Sequence, residues 1–180
     1  MNIAVYCSAK NSIPEEFKDL GRKLGTWIAD NNHILIYGGA TGGLMTSVSD
    51  AARKAGGYVI GVVPPSIIAA GRKADNCNEL FRVRSMSERK QAMRDMSDII
   101  VCLPGSYGTL DEMMDATSSA IVGEHRKPTF VLNYNGFYEP LKQQIALMQS
   151  LQFIPEQESY KPIFVDSLEE LYENIINYQF

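Results

Sequence analysis

The stretch Asp98-Ile99-Ile100-Val101-Cys102-Leu103-Pro104-Gly105-Ser106-Tyr107-Gly108-Thr109-Leu110-Asp111-Glu112 decides the fold. Its first part is an apolar run without alternation, the signature of a strand buried on both faces. A glycine loop breaks the run, and helical spacing then continues over 109–122. The same order occurs upstream. An apolar run at 33–37 enters Gly38-Gly39-Ala40-Thr41-Gly42-Gly43, a helix reads over 44–55, and Gly56-Gly57 stops it. Further runs at 3–7, 58–63, 128–133 and 161–165 predict strands, with a short one at 81–84. Helices are predicted over 14–30 (Phe17, Leu20, Leu24 and Ile28 at helical spacing), 85–97 (Met86, Met93 and Met96 as its apolar members), 137–151 and 168–178. Residues 66–80 read as irregular. Continuous apolar strands separated by helices predict an α/β fold: one Rossmann-like, doubly wound, mainly parallel sheet of six or seven strands. Such sheets bind ligands beyond the carboxyl ends of their strands, where both glycine loops fall.

The 180 residues fit one domain spanning 1–180. A hydrophobic share of 45% with 21% charged residues excludes disordered and fibrous classes. The net charge of −4 is poor footing for nucleic acid or a membrane surface, and neither is expected as a partner. No apolar run approaches the roughly 20 residues that span a bilayer. The start carries no basic leader pattern, so no signal peptide is expected. Cys7, Cys77 and Cys102 are odd in number and scattered. They suggest a reducing cytoplasm and give neither a disulfide framework nor a metal spacing, so no metal is expected.

Three stretches carry candidate chemistry. The first loop, with Gly38, Gly39 and Gly43, joins strand to helix and suits a phosphate on bare amides; its other reading is a tight turn without a ligand. The second loop reads two ways at Glu112. Thr109 and Glu112 have capping-box spacing. Asp111, Glu112 and Asp115 also crowd a helix start equipped for an anion, where a carboxylate would face the sugar of a sugar phosphate. In the third stretch, Met86-Ser87-Glu88-Arg89-Lys90-Gln91-Ala92-Met93, Arg89 shares a helix face with Met86 and Met93. An inward arginine needs a partner, either an acid such as Glu112 or a phosphate. The alternative is a solvated charge run with Glu88 and Arg94. His33 reads as structural, His125 as a surface residue, and Cys7 and Cys102 as core.

Together these stretches resemble the LONELY GUY family of phosphoribohydrolases, also labelled "possible lysine decarboxylase". The family hallmark Pro-Gly-Gly-x-Gly-Thr-x-x-Glu is matched by Pro104 to Glu112, and Met-x-x-Arg-Lys-x-x-Met by Met86, Arg89, Lys90 and Met93. Tyr37-Gly38-Gly39, Gly43-Leu44-Met45, Gly61-Val62-Val63-Pro64 and His125-Arg126-Lys127-Pro128 match further stretches. The chain departs at Ser106, which replaces a hallmark glycine, and at Ser87, where many members have His.

The resemblance implies removal of the base from a purine nucleoside 5′-monophosphate, with adenosine or N6-modified (cytokinin-type) adenosine as the nucleoside, by a homodimer without a cofactor. It implies Arg89 and Glu112 as the catalytic pair. Lys90, the loop residues Gly105, Ser106, Tyr107, Gly108, Thr109 and Asp111, and Ser118 would hold substrate. Two rivals differ in kind: a nucleotide or molybdenum-cofactor carrier without turnover, and a nucleosidase of broader base range.

Overall fold

A computed structural model describes residues 1–72, 74–158 and 160–178. Strands β1 (Asn2–Tyr6), β2 (Ile34–Tyr37), β3 (Tyr58–Val63), β4 (Glu79–Arg82), β5 (Ile99–Cys102), β6 (Thr129–Leu132) and β7 (Ile163–Val165) form one sheet in the order β4-β3-β2-β1-β5-β6-β7. Every pairing is parallel. The central strands are buried along both faces, which is why they read as unbroken apolar runs.

Helices cover both faces. Beneath one face lie α1 (Glu15–Asp30), α2 (Gly43–Lys54) and α7 (Leu168–Asn177), whose Leu24, Val48 and Leu171 meet Val5 and Leu35 of the sheet. Beneath the other lie α4 (Met86–Met96), α5 (Tyr107–Ile121) and α6 (Glu139–Ser150); Met93, Met113 and Ala116 meet Tyr6 and Ile36 there. The first and last helices touch: Trp27 of α1 stacks on Tyr172 of α7, with ring centroids 4.4 Å apart and planes 4° from parallel. Serine caps start α4 and α7. Ser85 Oγ accepts from the Glu88 N–H at 3.1 Å, and Ser167 Oγ from the Glu170 N–H at 3.1 Å.

The expected architecture is present, with local differences. Residues 66–80 are not wholly irregular, because α3 (Pro65–Ala69) opens on a proline at its first position, where a missing N–H costs nothing. Strand β4 begins two residues earlier than expected. It is an edge strand, and its exposed Glu79 and Arg82 hide the apolar pattern. Helix α5 starts at Tyr107 rather than Thr109, and a 3-10 turn (Tyr134–Gly136) precedes α6. No helix among the described residues is long and apolar enough to cross a membrane.

Strand order reverses between β1 and β5. One succession runs outward through β2, β3 and β4, the other through β6 and β7. The loops leaving β1 and β5 part there and open a crevice at the strand ends.

Candidate active site

The crevice is a cleft of about 180 Å³. The segment after β1 contributes Cys7, Ser8, Ala9 and Lys10, and the turn after β2 gives Gly38 and Ala40. Ser106, Gly108 and Thr109 come from the start of α5. Met45, Ile67 and Met86 supply an apolar wall. Arg72 closes one side and donates from Nη1 to the Ala9 carbonyl at 3.3 Å.

Arg89 and Glu112 meet in this cleft. Arg89 is 3% exposed and Glu112 4%. Arg89 Nη1 donates to Glu112 Oε1, while Arg89 Nε donates to the Val62 carbonyl at the end of β3, at 3.1 Å. The guanidinium has five N–H groups, so three remain without an acceptor among the described residues. Burial pushes the Glu112 carboxyl above its ordinary range, and the facing Arg89 charge opposes that shift. The inward reading of Arg89 therefore holds. The charge-run reading fits Glu88, which pairs with exposed Arg84, but Arg94 is buried and bonded to Asp115. Met86 is 38% exposed and lines the cleft rather than the core.

Thr109 is not a helix cap. Ser106 occupies the cap position of α5, so Thr109 lies within the first turn and Glu112 in the second. Glu112 reaches across to α4 instead of back to the helix start.

The two glycine loops differ. At α2 the Gly43 N–H donates to Asn11 Oδ1 at 2.9 Å, the Gly42 N–H to Thr46 Oγ1 at 2.6 Å, and the Met45 N–H to the Ser8 carbonyl at 3.2 Å. These amides, which the sequence reading offered to an anion, already have protein acceptors. At α5 no side chain caps the terminus, and Ser106, Gly108 and Thr109 face the cleft.

Of the residues singled out from sequence, Arg89, Glu112, Gly38, Ser106, Gly108 and Thr109 come together. Gly39 packs on Val62 and Gly43 on the Lys10 backbone. Gly105 lies flush against Thr109, and Tyr107 is 90% exposed. Lys90 Nζ lies 2.9 Å from Asp111 Oδ1 and 3.2 Å from Asp115 Oδ1, tying α4 to α5 along their flank. Ser118 lines a separate apolar groove of about 450 Å³ with Met114, Ile121 and Phe164. The sequence reading passed over Ser8, Lys10 and Arg72. Lys10 stands just beyond β1, so the rule that ligands gather at strand ends offered a signal for it. Arg72 lies in a stretch without periodicity and offered none.

His33 is structural as expected, edge-on to Trp27 and 3.5 Å from the N-terminal amine. His125 is half-buried rather than at the surface, with Nε2 3.0 Å from the Ala116 carbonyl. Burial pushes its pKa down. Burial also raises the Cys7 and Cys102 thiols, so neither is an activated nucleophile. No group of three metal-ligating side chains forms among the described residues.

The profile of the family described as "Possible lysine decarboxylase" matches residues 45–175. A probable cytokinin riboside 5′-monophosphate phosphoribohydrolase of Oryza sativa subsp. japonica is 34% identical over 92% of this chain and 72% of its own length. A second cytokinin riboside 5′-monophosphate phosphoribohydrolase of that plant is 36% identical over 86% of this chain and 64% of its own. Among solved structures, the molybdenum cofactor binding protein of Rippkaea orientalis superposes with a TM-score of 0.72. It is 22% identical, covering 97% of this chain and 94% of that one, a likeness of fold. The profile spans most of this chain and the plant relatives cover more still, so this chain belongs to the LONELY GUY, or possible lysine decarboxylase, family.

Proposed function

We propose that this chain hydrolyses the N-glycosidic bond of a purine nucleoside 5′-monophosphate, with adenosine or an N6-modified adenosine as the nucleoside, and releases free base and ribose 5-phosphate. The observation that carries the reading is a carboxylate and a guanidinium, both buried, paired one helical turn below an uncapped helix start. The relatives' names supply the substrate class.

In this reading the 5′-phosphate rests on the amides at the start of α5, where the helix dipole favours an anion. Lys10 and Arg72 add positive charge in the same cleft. The phosphate is remote from the reacting bond and fixes the ribose over Glu112. As the bond from C1′ to the base stretches, positive charge grows on the ribose. Glu112 stabilises that charge and takes a proton from the water that adds at C1′. The base leaves with the bonding pair and takes a proton from solvent. Glu112 gives up the proton it took from water and returns to its carboxylate form. Arg89 holds Glu112 in place, and its three remaining N–H groups suit phosphate or ribose oxygens. Lys90 and Asp111 steady α5 rather than touch substrate.

The proposal includes a homodimer in the cytoplasm. The apolar groove and the exposed Met114, Ile121 and Val122 on α5 and just beyond it supply a face for a second copy.

The test is a panel of AMP, N6-modified AMP, GMP, CMP and UMP, with free base and ribose 5-phosphate separated by chromatography. Release from AMP or its N6-modified form, absent in Glu112→Gln, supports the reading. Release from every nucleotide alike points to a broader nucleosidase. No release, with a ligand retained through purification, points to a carrier.

A further inference from the structure

We infer that Gly38 is a positioning residue: its bare Cα is the seat on which the Arg89 guanidinium lies. A Cβ built on Gly38 would collide with Arg89 Nη2 and stand 3.0 Å from Arg89 Cζ and 2.9 Å from the terminal methyl of Met45. Gly38 does not need glycine for its own backbone, because its φ lies outside the left-handed region. What requires glycine at 38 is the arginine.

The neighbouring glycines complete the seat. Gly39 has φ +72°, and a Cβ there would lie 3.1–3.2 Å from the Val62 backbone. A Cβ on Gly61 would stand 2.9 Å from Gly39 Cα. The ends of β2 and β3 therefore close to contact, and the Val62 carbonyl comes to Arg89 Nε at 3.1 Å. Two nitrogens of the guanidinium are thus fixed, Nε by the Val62 carbonyl and Nη1 by Glu112, while the third, Nη2, is directed at Gly38. The first glycine loop acts here as a socket for a side chain, while the Gly42 and Gly43 amides remain held by Thr46 and Asn11.

Gly38→Ala places one methyl where the guanidinium lies. The atoms in the way are the ends of flexible side chains, so the fold accommodates the change and Arg89 moves. A misplacement of about 1 Å at a reacting centre costs on the order of 100-fold in rate.

The experiment is a cycle of four proteins: parent, Gly38→Ala, Arg89→Ala and the double variant, each followed by thermal unfolding and by base release from the nucleotide panel. Coupling is expected. Gly38→Ala lowers the midpoint in the parent background and changes it little where Arg89 is already alanine, and in the parent background it cuts kcat about 100-fold or more. An equal midpoint loss in both backgrounds overturns the inference, as does activity within about 3-fold of the parent. The activity readout rests on the proposed hydrolysis, but the thermal cycle does not. If no protein of the set releases base, the hydrolase reading fails while the cycle still decides the seat.

Discussion

At the scale of single residues, the ion pair is the feature with the largest expected effects. Glu112→Gln keeps the shape and removes the base, and base release is expected to fall on the order of 10²–10⁴-fold. Because burial raises the Glu112 pKa and the reaction needs the carboxylate, activity is lost as pH falls through that raised value. The acid limb of kcat/KM should therefore lie above pH 4.5, the ordinary glutamate value. A limb at or below it, in a pH–rate series on AMP, contradicts the assignment. Arg89→Ala leaves a buried carboxylate alone and is expected to destabilise by about 3–5 kcal/mol, measurable by urea unfolding. Arg89→Lys keeps the charge but not the planar fork, so it should remain far less active than the parent. Both partners were legible in the sequence. The inward face of Arg89 followed from its spacing to Met93, and the role of Glu112 from the resemblance. Their bond joins residues 23 positions apart and was visible only as one alternative. Arg72 was invisible, because a residue in an aperiodic loop carries no directional signal.

At the scale of elements, two serine-or-threonine capping patterns with identical spacing had opposite outcomes. Ser85 and Glu88 cap α4, and Glu88 Oε2 also accepts from the Arg84 N–H at 2.7 Å. Thr109 and Glu112 do not cap α5, because the helix begins two residues earlier and a cation on α4 claims the glutamate. Local pattern sets a helix start only where no buried partner competes for the side chain. Ser85→Ala is thus expected to cost about 1 kcal/mol, read as a lower thermal midpoint with nucleotide binding retained. The glycine loops teach the same point. Sequence made both look like anion cradles, yet Asn11 and Thr46 fill one of them. Asn11 lies 32 residues from Gly43, beyond the reach of a local reading.

At the scale of the whole molecule, the sheet was the most legible feature, since a strand buried on both faces has no polar side to confuse its pattern. The edge was least legible: β4 is half-exposed and α3 is one short turn. Leu24 is fully buried between α1 and the sheet, and Leu24→Ala is expected to cost about 2–5 kcal/mol. For a chain of this length, each 1 kcal/mol lowers the melting midpoint by roughly 2–4 °C. A loss well under 1 kcal/mol would mean that this layer is looser than its burial implies. Trp27 turns such measurements into an optical experiment. It is the sole tryptophan, and it lies flat on Tyr172 where the first helix meets the last. Its emission therefore reports, without any label, whether the opening and closing segments of the chain have found each other.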